Sequence, residues 1–115
     1  MWTHKQVYDA LVRRWGERPG LVREKNGSRF VAIFAPQDPQ CAHLYADEKT
    51  KNSDFPLCLH PGKKSWKSEE YWKILPAIIE MKIQGNTKRK PADRWIRCRV
   101  DWDALAICLD LSRPR

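Results

Sequence analysis

Ile79-Glu80-Met81-Lys82-Ile83-Gln84 and Ile96-Arg97-Cys98-Arg99-Val100 are two short stretches in which side-chain character changes at every residue. Strict alternation is the period of a half-buried β-strand, because successive side chains leave opposite faces. Between the two lies Gly85-Asn86-Thr87-Lys88-Arg89-Lys90-Pro91-Ala92-Asp93, a segment rich in turn formers and in positive charge. The pattern predicts a β-hairpin. Residues directly opposite in an antiparallel pair share a face, so apolar must meet apolar. One register satisfies this: Met81 opposite Cys98, Ile83 opposite Ile96, Glu80 opposite Arg99, Lys82 opposite Arg97 and Gln84 opposite Trp95. Its polar face then carries Lys82, Trp95, Arg97 and Arg99.

A second hairpin is expected earlier in the chain. Asn26-Gly27 suits a two-residue type I′ turn, which needs positive φ at both positions. The turn sets Lys25 against Ser28, Glu24 against Arg29, Arg23 against Phe30 and Val22 against Val31. Phe30-Val31-Ala32-Ile33-Phe34 is apolar on both faces and reads as a buried strand. Ahead of it, Thr3 and Gln6 form a capping box and Trp2 with Val7 a hydrophobic staple. Val7, Ala10, Leu11 and Trp15 then recur at helical spacing, until Gly16, Pro19 and Gly20 end the helix.

Residues 35–66 are the least regular part, punctuated by Pro36, Pro39, Pro56 and Pro61. Two short strands, over 41–45 and 55–60, are expected on either side of a polar loop. A short helix over 68–75 starts at Ser68, with Glu69 and Glu70 at the positive end of its dipole, and stops before Pro76. A last helix begins at Asp101 and carries Trp102, Leu105, Ala106 and Leu109 on one side. The expected fold is a single α+β domain over 1–115, ordered roughly α-β-β-(β-β)-α-β-β-α. Its antiparallel sheet is built from hairpins, with the N- and C-terminal helices packed on one face.

The chain has 115 residues and a formal net charge of +8, unevenly distributed. Residues 61–115 hold an excess of six positive charges, residues 1–34 an excess of four, and residues 35–60 a deficit of two. From Lys82 to Arg99 there are seven basic residues and one acid, Asp93. Such a local excess attracts polyanions by counterion release. An aromatic ring among guanidinium groups also suits stacking on unpaired bases. The expectation is therefore a nucleic-acid-binding surface, for DNA or RNA, made of Lys82, Lys88, Arg89, Lys90, Trp95, Arg97 and Arg99. Lys63, Lys64 and Trp66 extend it. In this reading the protein performs no catalysis; an acidic protein surface is the alternative partner for the same face.

Two further constellations carry possible chemistry. Ile79-Glu80-Met81-Lys82 resembles the E-x-K strand of the PD-(D/E)xK nuclease superfamily. That resemblance implies a Mg²⁺-dependent nuclease in which Asp54 and Glu80 hold the metal and Lys82 positions the attacking water; the competing reading makes Glu80 a cross-strand ion partner of Arg99. Cys41-Ala42-His43 and Cys58-Leu59-His60 are two C-x-H steps, each able to point both ligands one way from an extended chain. Paired, Cys41, His43, Cys58 and His60 make a tetrahedral zinc site; unpaired, they are half-buried thiols with surface histidines. Cys98 and Cys108 fall on apolar faces and read as core. No apolar run approaches ~18 residues, so no membrane span is expected. The N-terminus lacks the order of a signal peptide, which points to the cytoplasm and to reduced thiols.

Overall fold

A computed structural model describes residues 1–15, 22–25, 28–33, 42–46, 54–59, 73–84 and 95–113. Helix α1 spans His4–Trp15. It is followed by β1 (Val22–Lys25), β2 (Ser28–Ile33), β3 (Ala42–Tyr45) and β4 (Leu57–Leu59). A 3-10 turn at Leu75–Ala77 leads into β5 (Ile78–Gln84), then β6 (Trp95–Val100) and α2 (Trp102–Cys108). The fold is α+β, as the sequence pattern implied. Of the helix expected over 68–75, residues 68–72 lie outside the described residues; Lys73 and Ile74 form a turn, and Leu75 belongs to the 3-10 turn with Pro76 in its first positions.

The six described strands form one antiparallel sheet in the order β1-β2-β3-β4-β6-β5. Both hairpin registers agree with the sequence-based ones pair for pair, from Val22 opposite Val31 to Gln84 opposite Trp95. The irregularity lies between Ile78 and Glu80, where Ile79 is the extra residue of a β-bulge. Of the two strands expected over 41–45 and 55–60, the structure describes Ala42–Tyr45 and Leu57–Leu59, while Cys41 and His60 lie outside the described residues. Phe55 and Pro56 fall in the turn before β4 instead of in the ladder.

Alternation sorts the sheet into two faces. On one, Val31, Leu44, Leu57 and Cys98 follow one another across four strands, with Ile33, Ala42, Leu59 and Ile96 in the next row. This is the core face. Val7 and Leu11 of α1 and Leu105 and Ala106 of α2 bury against it, together with Ile74 and Ala77. Burying each of the larger ones, Val7, Leu11, Ile74 and Leu105, contributes about 1.5–3 kcal/mol.

Both helices are held at their ends. The capping box closes as expected, the Gln6 amide donating to Thr3 Oγ1 (3.1 Å) and the Thr3 amide to Gln6 Oε1 (3.0 Å). Asp101 caps α2 by accepting from the Ala104 amide at 3.2 Å. Its own amide donates to the Ala77 carbonyl (2.8 Å), fixing the end of β6 to the 3-10 turn. The Arg14 guanidinium donates to the Leu109 and Asp110 carbonyls, which α2 leaves without partners at its C-terminus. Asp110 adopts φ 51°, the left-handed geometry of a helix exit. At the other end the His4 ring stacks on Trp102 at 4.7 Å and its Nε2 donates to the Tyr45 carbonyl. Thus α1, α2 and β3 are tied together on the core side.

Candidate functional site

The second face begins with register. Ala32, His43, Cys58, Arg97 and Lys82 occupy one row across β2, β3, β4, β6 and β5. Phe30 and Tyr45 are paired beside it, as are Arg99 and Glu80. This face is not uniformly wet. Phe30, His43 and Cys58 are buried, with His43 only 6% exposed, so it is no surface histidine. Its ring stacks on Phe30 at 4.3 Å and meets Tyr45 edge-on at 6.2 Å. Towards β6 and β5 the face opens: Arg97 is half-buried, while Arg99, Lys82 and Glu80 are exposed.

Aromatic rings hold the three cations. Arg97 Cζ lies 4.8 Å from the centre of the Tyr45 ring. Lys82 Nζ and Arg99 Cζ both lie over Phe55, at 4.3 and 4.9 Å. Contacts of this kind contribute roughly 0.5–1 kcal/mol where exposed, and more where water is excluded. They also explain how the like-charged pair Lys82 and Arg97 is tolerated directly across two strands. Each leans on a different ring. Arg99 is 3.7 Å from Glu80, with both side chains nearly half exposed, so this ion pair is weak. Neither Lys82 nor Arg97 has a carboxylate partner among the described residues. The Arg97 Nε is buried and makes no hydrogen bond there.

Burial dominates the titration of the neighbouring groups. It pushes the Cys58 thiol up to about 11, with the Arg97 guanidinium pulling against it. The Tyr45 phenol is raised first by burial and then by Cys58, again opposed by Arg97. Cys58 is therefore a neutral thiol at physiological pH, unsuited to act as a nucleophile.

The remaining candidates are placed as follows. Trp95 stands in β6 opposite Gln84 and two residues before Arg97. Lys63, Lys64, Trp66, Lys88, Arg89 and Lys90 lie outside the described residues. His43 and Cys58 are directly opposite one another on β3 and β4, whereas Cys41 and His60 lie outside the described residues. No group of three or more His, Cys, Asp or Glu side chains among the described residues is arranged to hold a metal. Asp54 is an exposed turn residue adjoining Phe55, and Glu80 is engaged with Arg99. Among the described residues no helix is long and apolar enough to cross a membrane.

Sequence reasoning found the cations but not the rings beneath them. Tyr45 and Phe55 come from distant segments, and only the placement of β4 beside β6 brings them alongside Arg97 and Arg99. The one local signal is the aromatic residue directly before Pro56, where a proline ends the ladder. Compared with known protein families, with curated proteins and with solved structures, the chain matches none.

Proposed function

We propose that the protein binds nucleic acid through the outer face of the β5–β6 hairpin, without catalysis. The observation that carries this reading is the set Lys82, Arg97 and Arg99. These are three cations on one face, each over an aromatic ring, with Glu80 the one carboxylate paired to them among the described residues. Ring stacking orients a guanidinium without neutralising it, so its donors stay available to phosphate oxygens. Arg97 and Arg99 are two residues apart on a strand, about 6.6 Å. That separation is of the order of the step between successive phosphates in an extended single strand. The rings of Tyr45 and Phe55 are already covered by cations, which favours phosphate contact over base stacking at these positions. Lys88, Arg89, Lys90 and Trp95 belong to the same hairpin in sequence and extend the proposed surface.

The test is a salt series on single- and double-stranded DNA and RNA oligonucleotides. Affinity should fall steeply with salt, and the double variant Arg97→Gln/Arg99→Gln should flatten the log–log slope by about 1.4 on a single strand, the loss of two phosphate contacts. Arg13→Gln, at an exposed α1 arginine outside this face, is the control, compared per charge removed. Equal losses per charge removed in the control and the double variant would mean diffuse attraction and sink the site. Mg²⁺-dependent cleavage abolished by Glu80→Ala would move the assignment to the nuclease reading through Asp54, Glu80 and Lys82. Absence of binding even at low salt would favour an acidic protein partner.

A further inference from the structure

β5 is an edge strand of the described sheet. The sheet order ends at β5, so one row of its backbone groups faces no other described strand. Edge strands commonly carry charges, prolines or bulges that blunt pairing with other chains, and β5 has Glu80, Lys82 and the bulge at Ile79 among its apolar positions. Here Ile79, Met81 and Ile83 are 64%, 53% and 63% exposed. Met81 and Ile83 belong to the core face, opposite Cys98 and Ile96, yet they project beyond the cover that α1 and α2 give to the inner strands. An apolar strip at a free sheet edge is unusual in a monomer.

The sequence of the strand specifies what fits it. Ile79-Glu80-Met81-Lys82-Ile83 is self-complementary about Met81. Antiparallel pairing with a second copy, centred on Met81, sets each Met81 against the other. Glu80 then faces the partner's Lys82, Lys82 faces the partner's Glu80, and Ile79 faces the partner's Ile83. Moving the centre to Glu80 or Lys82 places like charges directly opposite, which is destabilising. A one-residue slip sets apolar side chains against charged ones on both faces. Of the registers, the Met81-centred one keeps the faces together and sets opposite charges against each other at both Glu80 and Lys82. The bulge at Ile79 ends the regular β5–β6 ladder at Glu80, so the new pairing is short and centred on 80–82.

We infer that the chain forms a two-fold symmetric dimer by β5–β5 pairing, joining two six-stranded sheets into one. An axis perpendicular to the sheet keeps faces together, so the interface is isologous. The exposed apolar strip packs against its copy on the helix side. On the other side, the Lys82, Arg97 and Arg99 sets of the two chains become neighbours on one continuous surface. The unfavourable Lys82–Arg97 pair gains the partner's Glu80 as a third member of its row.

Sedimentation velocity of the full chain without nucleic acid tests the dimer separately from the proposed binding. Wild type should be dimeric at high micromolar concentration. Glu80→Lys sets lysine against lysine and Lys82→Glu sets glutamate against glutamate, so each variant alone should be monomeric. Mixing the two restores both opposite-charge pairs and should regenerate the dimer. A monomeric wild type, a charge-reversed variant that stays dimeric, or a mixture that stays monomeric overturns the inference. Met81→Lys, which brings two charges together on the axis, gives an independent route to a monomer. Circular dichroism confirms that each variant is folded, and amide exchange in β5 should slow with wild-type concentration.

Discussion

The two faces of the sheet are made by the same six strands, yet they are dry in different ways. Under α1 and α2 the core face is apolar from β2 to β6. The other face is dry only in its middle, around Phe30, His43 and Cys58, and becomes charged at β6 and β5. The two thiols make the comparison quantitative. Cys98 points to the core face, where burial, and secondarily Cys58, pushes its thiol up to about 12. Cys58 points to the opposite face and reaches about 11, held back by Arg97. The outer face at β4 is therefore nearly as desolvated as the core. Among the described side chains of this face, the charge lies on β5 and β6, where aromatic rings support it.

The largest separation between the faces should appear on truncation. Leu44 is fully buried on the core face. Leu44→Ala should cost about 2–5 kcal/mol in denaturant unfolding, the usual range for a buried leucine cavity. Arg99→Gln loses a half-exposed ion pair and should change stability by less than about 1 kcal/mol. The order should invert for polyanion affinity. The folded fraction of Leu44→Ala should bind as wild type, and Arg99→Gln should bind less tightly. Loss of affinity in folded Leu44→Ala would show that the two faces do not act independently.

Much of this division was legible in the sequence because alternation is local. Ile96, Cys98 and Val100 against Arg97 and Arg99 define two faces without knowledge of any other strand. Hairpin registers follow from turn length and from matching those faces. The strand order is different in kind. That β4 pairs with β6, leaving β5 at the edge, depends on non-local contacts. Consequently the period places Met81 and Ile83 on the apolar face, while the structure leaves both more than half exposed. Tyr45 and Phe55 were invisible as partners of the cations for the same reason. Period reports which face a side chain takes, and not how far cover extends over that face.

Alkaline unfolding sharpens the comparison through the thiols. Each thiol is raised from an ordinary value of 9.0, so between 9 and its folded value the native state binds a proton that the unfolded state has released. This stabilisation is fully present below pH 9 and is lost as pH rises through the folded values. Each thiol then contributes a fall of up to about 1.4 kcal/mol per pH unit. Cys58→Ala should remove its share between pH 9 and about 11, and Cys98→Ala its share over a window reaching about 12. Chemical denaturation at a series of alkaline pH values measures both slopes. Unchanged slopes in both variants would mean that neither site is as dry as the sheet packing requires.

The smallest effect concerns the roof over the core face. Asp101 accepts from the Ala104 amide and starts the helix that buries Leu105 and Ala106. Asp101→Ala leaves that donor without its side-chain cap and should cost about 1 kcal/mol. Asp101 also immediately follows Val100, the last residue of β6. If the helix side and the charged side are energetically separate, the variant should lose stability while keeping wild-type affinity and salt slope. Removing the carboxylate also deletes a negative charge near the basic hairpin, an effect that screening reduces beyond about 8 Å at physiological salt. Asp101→Asn distinguishes the two contributions, since it retains a capping oxygen while removing the same charge. Affinity rising equally in Asp101→Ala and Asp101→Asn would trace the change to charge. A change in the alanine variant alone would show that the cap of α2 helps to position β6.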